Sequence, residues 1–254
     1  MKTVRSIVDV RAELAGRGTI GLVPTMGALH AGHRALIDAA RAECDVVVVS
    51  LFVNPAQFDD AADLDAYPRD EERDATLAAE AGADVFFAPD PGEIYPPGFQ
   101  TRVDVEELSR GLEGSYRPGH FRGVATICLK LFNIIRPQLA YFGQKDAQQV
   151  AVIRRLVSDL NLDLTVRSIA TVRDPDGLAV SSRNIRLSPA ERAAALALPR
   201  ALATRDPAAA RAALDGLEVD YVEVADFDPP VLAAAVRVGS TRLIDNVILH
   251  EEEP

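Results

Sequence analysis

Residues 24–33 read Pro24-Thr25-Met26-Gly27-Ala28-Leu29-His30-Ala31-Gly32-His33, and this stretch decides the fold. A short apolar run precedes it at residues 19–23, and an amphipathic run follows it at residues 34–43. The order predicts a strand, a turn that carries two histidines, and a helix that begins near Gly32 or His33. Because Gly27 and Gly32 lack a Cβ, the backbone of the turn can bend sharply and approach a ligand closely.

The start of this predicted helix is a candidate phosphate site. Its free N–H groups and the positive end of the helix dipole attract anions. His30 and His33 lie three residues apart, so both side chains can reach one anion, and a histidine can exchange a proton near neutral pH. An ordinary turn with two solvent-facing histidines is the alternative that these residues leave open.

Short apolar strands alternate with helical patterns around this stretch. The strands are predicted at residues 20–24, 46–53, 85–88, 139–142 and 164–172, and the helices at residues 33–43, 69–81, 124–135 and 147–160. Residues 46–49 are all valine, which is typical of a central parallel strand buried on both faces. The alternation predicts an α/β fold with a Rossmann-like, doubly wound parallel sheet, which binds ligands at the carboxyl ends of its strands.

The character of the sequence changes after Ser188. Residues 189–213 are rich in Ala and Arg and predict helix, and strands are predicted at residues 221–224 and 242–249. We therefore expect two domains, a Rossmann-like domain at residues 1–172 and a smaller α+β C-terminal domain at residues 173–254. Residues 89–98 are rich in Pro and Gly and predict a surface loop, and the acidic residues 59–73 predict an exposed, mobile segment.

Composition excludes several classes of protein. The 254 residues carry a formal net charge of −11, which argues against a nucleic-acid partner but leaves room for a locally basic ATP pocket. No apolar stretch approaches the roughly 20 residues that cross a bilayer, and the N-terminus lacks a signal-peptide pattern. Cys44 and Cys128 lack metal-ligand spacing and are expected to be buried thiols in a reducing cytoplasm.

Two further segments carry candidate phosphate ligands. Residues 143–146, Gly-Gln-Lys-Asp, follow a predicted strand and open a helix; Lys145 can bind a phosphate, and Asp146 can accept from ribose or cap the helix. Residues 176–184 hold two serines and Arg183, and such a loop can wrap a triphosphate. A capped surface turn and an interdomain linker are the alternatives that these segments leave open.

Amide side chains supply candidate contacts for a small hydroxylated substrate. Asn54 and Gln57 follow the second predicted strand, and Gln148 and Gln149 lie one helical turn beyond Lys145. One of the last pair is expected to face the cleft, and the other to be solvated. The predicted topology gathers all these segments at one edge of the sheet.

Taken together, these residues resemble the pantothenate synthetase (pantoate–β-alanine ligase) family, in the cytidylyltransferase and class I aminoacyl-tRNA synthetase superfamily. The resemblance rests on residues 24–33, Val53-Asn54-Pro55-Ala56-Gln57-Phe58, Tyr67-Pro68-Arg69, Arg117-Pro118-Gly119-His120-Phe121-Arg122-Gly123-Val124, Phe142-Gly143-Gln144-Lys145-Asp146, Asp176-Gly177-Leu178-Ala179-Val180-Ser181-Ser182-Arg183-Asn184 and Thr241-Arg242-Leu243-Ile244-Asp245-Asn246. It implies a two-step reaction. ATP and (R)-pantoate, with Mg²⁺, form pantoyl adenylate and diphosphate, and β-alanine then displaces AMP. It also implies a homodimer.

The resemblance also implies roles for individual residues. The catalytic set is His30, His33, Lys145 and Arg183, and Gln57 and Gln149 are implied to contact substrate. ATP binding is implied for Met26, Gly27, Ala28, Leu29, His30, Ala31, Gly32, His33, Gly143, Gln144, Lys145, Asp146, Val172, Val180, Ser181, Ser182 and Arg183. The resemblance assigns no residue of this sequence as a metal ligand. Many members have Glu in place of Gln144 and Met in place of Val180, and many have a longer C-terminal domain.

Three other functions fit parts of the pattern. A nucleotidyltransferase would share the turn with two histidines, but it uses no amine substrate, and the two glutamines favour a small acid. A tRNA synthetase would need a basic anticodon-binding module, for which this acidic chain has no room. A non-catalytic ATP-binding module would keep the glycines without needing His33, Lys145 and Arg183 together.

Overall fold

The computed structural model describes residues 1–59 and 61–249. The chain forms two compact units. The first consists of residues 1–142 and 152–169, and the second of residues 143–151 and the described residues from Ala170 onward. The sequence predicts a domain boundary after Val172. The predicted acidic segment includes Asp60 and the predicted C-terminal domain includes residues 250–254, and these residues lie outside the described part of the chain.

The first unit is built on a parallel sheet of six strands. Its strands are β1 (Lys2–Val4), β2 (Ile20–Thr25), β3 (Val46–Leu51), β4 (Val85–Phe87), β5 (Leu139–Gly143) and β6 (Thr165–Ile169). Their order is β1-β4-β3-β2-β5-β6, and β2 pairs in parallel with both β3 and β5. The order reverses between β2 and β5, which is the place where such sheets bind ligands. The predicted doubly wound sheet is confirmed.

Helices connect and cover these strands. They are α1 (Ile7–Leu14), α2 (Ala31–Glu43), α3 (Ala61–Asp65), α4 (Glu71–Glu80), α5 (Pro91–Ile94), α6 (Glu113–Tyr116), α7 (His120–Ile135) and α8 (Ala147–Asp159), with 3-10 turns at Pro55–Gln57 and Gln144–Asp146. On one face of the sheet, Val49 and Phe86 pack with Ile37 of α2 and Ala78 of α4, all of them inaccessible to solvent or nearly so. This packing fixes the position of α2, and with it the histidine turn.

The second unit is a small α+β structure, as predicted. Three helices, α9 (Pro189–Ala195), α10 (Ala197–Leu202) and α11 (Pro207–Ala213), follow a 3-10 helix at Ser182–Arg186. They pack on an antiparallel sheet of β7 (Glu218–Ala225), β8 (Val231–Val238) and β9 (Thr241–Ile248), with β8 in the centre. Its core includes Leu198, Leu202, Leu232 and Val236.

Several local predictions differ from the structure. Residues 189–213 form three helices instead of one, because α9 and α10 are separated at Leu196 and because Asp206 and Pro207 start a new helix at α11. The predicted surface loop at residues 89–98 contains α5, whose Ile94 is fully buried. The acidic segment at residues 59–73 contains α3 and the start of α4, although most of its described side chains are exposed. Cys44 and Cys128 are both free, buried thiols, as predicted.

None of the helices in the described part of the chain combines the length and apolar character needed to span a bilayer.

Candidate active site

The loop after β2 ends in a helix cap made by its two histidines. His30 is the N-cap of α2, and its Nδ1 accepts a hydrogen bond from the backbone N–H of Gly32 at 3.1 Å. The Nδ1 of His33 accepts from the backbone N–H of His30 at 3.3 Å. The helix therefore begins at Ala31, earlier than predicted, because imidazole nitrogens here do the capping that Ser or Asp usually does.

These two hydrogen bonds determine which ring nitrogen carries the proton. A neutral imidazole has one donor and one acceptor nitrogen, and Nδ1 is the acceptor in both rings, so the proton of each neutral ring lies on Nε2. Burial, with a smaller contribution from His30, lowers the pKa of His33 to about 3. His33 is therefore a neutral hydrogen-bond donor at physiological pH. The lowered pKa favours donation of a hydrogen bond over the proton exchange near neutral pH that the sequence leads us to expect.

The buried carboxylate of Asp74 binds the backbone of the same loop. Asp74 of α4 is inaccessible to solvent, and its two oxygens accept from the backbone N–H groups of Ala28 at 2.7 Å and Leu29 at 2.8 Å. Gly27 has a φ of +89° and Ala28 a φ of +52°, a left-handed course that the carboxylate stabilises. This role of Asp74 was not predicted, because Asp74 stands in an acidic helix 41 residues after His33 with no local signal of its role.

Replacing Asp74 by Asn is expected to loosen this loop. One oxygen becomes an NH₂ group that faces a backbone N–H, so a buried donor loses its acceptor, at a cost of about 1–3 kcal/mol. We expect that loss in urea unfolding and faster amide exchange at Ala28 and Leu29. Asp70→Asn is the matched control, because Asp70 caps α4 by accepting from Arg73 N–H, which Asn does nearly as well. Equal stability and exchange in both variants would contradict this role.

The amide of Gln57 is oriented by a chain of buried hydrogen bonds. Its Oε1 accepts from Asn54 Nδ2 at 2.9 Å, and Asn54 Oδ1 accepts from the hydroxyl of Tyr95 at 2.8 Å. Asn54 Nδ2 also donates to the carbonyl of Gly123 at 3.1 Å. Asn54 is fully buried and both of its amide ends are used, so it fixes Gln57 and leaves the Gln57 NH₂ as the group available to a ligand.

The backbone of Gln57 is held as well. His120 Nδ1 lies 2.8 Å from the Gln57 carbonyl oxygen, which can only accept, so Nδ1 donates. The other ring nitrogen, Nε2, then accepts from the guanidinium of Arg117 at 3.2 Å. Both residues stand in a motif that carries the family resemblance, and no role was predicted for either of them. The structure makes them supports of Gln57.

In the second unit, the turn at residues 143–146 presents Lys145. The Lys145 side chain is about 20% exposed, and its ammonium lies 3.9 Å from the carboxylate of Asp146. Gln144 is buried, and the backbone of the turn contacts Asn246 of β9. The turn is therefore a packed element with one accessible cation, which argues against the alternative of a simple surface turn.

The loop at residues 172–184 is ordered by its own hydrogen bonds. Val180 N–H donates to the carbonyl of Val172 at 3.0 Å, and the hydroxyl of Ser181 accepts from Arg183 N–H at 3.2 Å. Ser181 thus caps the 3-10 helix at Ser182–Arg186. Arg173 joins this loop to Asp245 by two hydrogen bonds of 2.6 and 3.0 Å. Such a folded loop is more than the interdomain linker that the sequence left open.

The two glutamines after Lys145 differ from expectation. Gln148 is buried and Gln149 is half-buried, so neither is the solvated member of the pair that the sequence predicts. Both lie in the first turn of α8.

Each of the two units contains part of the predicted site residues. The first unit holds Met26–His33 and Gln57, with Asp74 and Asn54 as supports. The second unit holds residues 143–146, Gln149 and the loop at residues 172–183. The residues of the first unit include hydrogen-bond donors, and those of the second unit include the cations Lys145 and Arg183; groups of both kinds bind anions. Among residues 1–59 and 61–249, no group of three or more His, Cys, Asp or Glu side chains is placed to hold a metal ion.

Comparison with known proteins gives a consistent picture. The sequence model described as pantoate-beta-alanine ligase matches residues 1–248. The chain is 51% identical over 280 residues to a pantothenate synthetase of Heliobacterium modesticaldum, covering 98% of this chain and 100% of that one. It is 47% identical over 284 residues to a pantothenate synthetase of Geobacter sulfurreducens, covering all of both chains.

Solved structures agree with the sequence matches. A crystal structure of pantothenate synthetase from Thermus thermophilus superposes with a TM-score of 0.94 at 43% identity, covering 99% of this chain and 100% of that chain. A pantoate-beta-alanine ligase from Francisella tularensis, complexed with beta-gamma ATP and beta-alanine, superposes with a TM-score of 0.87 at 35% identity, covering 98% of each.

Proposed function

The chain belongs to the pantoate–β-alanine ligase family, and from that premise we propose which of its residues carry the reaction. The enzyme condenses (R)-pantoate with β-alanine at the expense of ATP and releases pantothenate. The nucleotidyltransferase, tRNA synthetase and non-catalytic alternatives are thereby set aside. The observation that best supports our assignment is the histidine cap of α2, in which the Nδ1 of His33 accepts a hydrogen bond and its Nε2–H is a donor in the first turn of a helix.

The chemistry explains what such groups must do. A carboxylate resists attack by an amine, because its charge repels the nucleophile and oxide is a poor leaving group. In the first step the pantoate carboxylate attacks the α-phosphorus of ATP, an O–P bond forms, and the bond to diphosphate breaks. In the second step the amine of β-alanine attacks the acyl carbon, the C–N bond forms, AMP leaves, and the nitrogen loses a proton. Alignment and charge stabilisation therefore dominate catalysis.

We propose that the phosphate groups of ATP are bound by the histidine turn of the first unit and by Lys145 and Arg183 of the second unit. His33, with His30 beside it, donates through Nε2 to phosphate oxygens, and the N–H groups at the start of α2 add to this. Lys145 and Arg183 neutralise the charge that grows on the migrating phosphates. The remaining members of the proposed ATP site are Met26, Gly27, Ala28, Leu29, Ala31, Gly32, Gly143, Gln144, Asp146, Val172, Val180, Ser181 and Ser182.

Magnesium fits this site as a companion of ATP. Mg²⁺ commonly keeps several waters and binds through substrate phosphates with few protein ligands. The described residues hold no cluster of three metal-ligating side chains, which is compatible with binding of this kind. When bound with ATP, the ion would neutralise part of the phosphate charge.

We assign pantoate and β-alanine to the glutamines. The NH₂ group of Gln57, fixed by Asn54, is suited to donate to an oxygen of pantoate or to the carboxylate of β-alanine. Gln149 is proposed to contact pantoate. We further propose, on family resemblance, that the enzyme is a cytoplasmic homodimer and that residues 173–254 act as a lid, which would shield the reactive adenylate from water.

Replacing Gln149 by Ala tests the substrate assignment. We expect the KM for pantoate to rise about 10-fold or more, as for loss of one hydrogen bond in a polar pocket, with the KM for ATP nearly unchanged. Initial rates at varied pantoate and at varied ATP separate the two effects. Arg154→Ala, in the same helix and outside the proposed site, is the control and should leave both constants unchanged. A raised KM for ATP with unchanged pantoate kinetics would show that the pocket is assigned wrongly.

A further inference from the structure

We propose that Asn246 is a positioning residue for Lys145, an inference that rests on the proposed role of Lys145 in ATP activation. Asn246 lies in β9 and is about 5% exposed. Its Nδ2 donates to the backbone carbonyls of Gln144 and Lys145, each at 2.9 Å. One buried side chain thus holds two consecutive peptide groups of the phosphate turn.

The side chain of Gln144 completes the arrangement. Its Nε2 lies 3.4 Å from Asn246 Oδ1 and donates to it. A primary amide offers two N–H donors and one oxygen acceptor, and all of these are used by the turn. Asn246 therefore has no donor left for a ligand. It acts on the reaction through Lys145 and makes no contact with substrate itself.

The position of the Lys145 ammonium depends on this anchor. The lysine ammonium stands at the end of a flexible four-carbon side chain. The protein therefore positions this charge mainly by fixing the direction in which the side chain leaves the backbone. The two hydrogen bonds to carbonyls 144 and 145 fix the peptide groups on both sides of the Lys145 Cα. Because the direction of the Lys145 Cα–Cβ bond is fixed, fewer rotamers of the Lys145 side chain remain to be ordered when the phosphates bind.

Asn246 is itself held by the preceding residue, Asp245. Its backbone N–H donates to Asp245 Oδ1 at 2.8 Å, and the Asp245 carboxylate is almost fully buried and paired with Arg173. Arg173 also donates to the carbonyl of Gly177 at 3.2 Å. Two adjacent residues of β9 thus connect the Lys145 turn with the loop that leads to Arg183. This gives a physical role to the Asp245-Asn246 pair, for which no role was predicted from the sequence.

A double-mutant cycle with Lys145 tests the inference. Asn246→Ala should lower kcat for pantoate-dependent diphosphate exchange about 10- to 100-fold, within the range of coupling between contacting residues. The same substitution in a Lys145→Ala background should change kcat less than about 3-fold, because there is no ammonium left to position. Asn246→Asp has the same shape but places an oxygen against both carbonyls. It should lower kcat as much as Asn246→Ala does.

Stability and a control variant separate positioning from general damage. Leu243→Ala, in the same strand and in the core of the second unit, should lower the melting temperature and keep kcat. An equal loss of kcat from Asn246→Ala in both backgrounds would overturn the inference while leaving the role of Lys145 intact. An unchanged kcat in Lys145→Ala alone would overturn both this inference and the proposed role of Lys145. If Asn246→Ala does not fold, the cycle is run with Asn246→Asp and decided by the same criteria.

Discussion

Replacing His33 by Ala is expected to lower the rate of pantoyl adenylate formation by about 10²- to 10³-fold, the usual cost of removing one donor to a developing negative charge. The reason is the Nε2–H of a neutral ring that stands in the first turn of α2. Diphosphate exchange into ATP in the presence of pantoate measures this step alone. An exchange rate near that of the unmodified enzyme would contradict the assignment.

Two further substitutions separate the donor from the cap. His33→Asn keeps an oxygen near Nδ1, which can accept from His30 N–H, but it has no group that reaches as far as Nε2. His33→Gln places its NH₂ at about the reach of Nε2. We expect His33→Asn to fold stably and to be as slow as His33→Ala, and His33→Gln to recover part of the rate. The reverse order would show that the cap, and not the donor, matters to catalysis.

The pKa of His33 adds a pH dependence to the stability of the fold. The folded pKa of about 3 lies below the usual 6.5, so between these values the unfolded chain binds a proton that the folded chain does not. The contribution of His33 to stability is therefore complete above about pH 6.5 and is lost as the pH falls toward 3. His33→Asn should remove this part of the pH dependence in urea unfolding.

Replacing Lys145 by Ala is the second substitution with a large expected effect. Charge grows on the phosphates as the α-phosphorus is attacked, so the ammonium is worth more in the transition state than in the bound ATP. We expect kcat to fall about 10²- to 10³-fold, with a much smaller change in the KM for ATP. Steady-state rates at varied ATP give both constants.

Charge and shape can be separated at the same position. Lys145→Met keeps most of the length without the charge and should be as slow as Lys145→Ala, whereas Lys145→Arg should keep part of the rate. Arg183→Ala is expected to follow the same pattern, with kcat affected more than KM. A raised KM for ATP with unchanged kcat in both Lys145→Ala and Arg183→Ala would show that these cations hold only the ground state.

The sheet and the phosphate segments could be predicted because their signals are local. The valine run of β3 and the glycines of residues 24–33 carry their meaning within a few neighbours. Strand β8 was not predicted, because its sequence Val-Leu-Ala-Ala-Ala-Val-Arg-Val shows no alternation, and its three alanines weaken the strand signal. It forms because it is the central strand of the second sheet and is buried almost throughout.

The supports of the site depend on long-range contacts that a single sequence does not show. Asp74 reaches Ala28 from a helix 46 residues away, and Asn246 reaches the Lys145 turn from 101 residues away. Nothing beside either residue marks it as different from other acids or amides in the chain. Similarly, the neutral state of His33 follows from burial and from one backbone N–H, and neither is visible in the sequence.

The central claim is that this enzyme activates the carboxylate of pantoate as an adenylate before the amine takes part. Exchange of labelled diphosphate into ATP, measured with pantoate present and β-alanine absent, tests it most directly. We predict rapid exchange that depends on pantoate and stops when pantoate is omitted. Exchange without pantoate, or no exchange until β-alanine is added while pantothenate still forms, would contradict the claim.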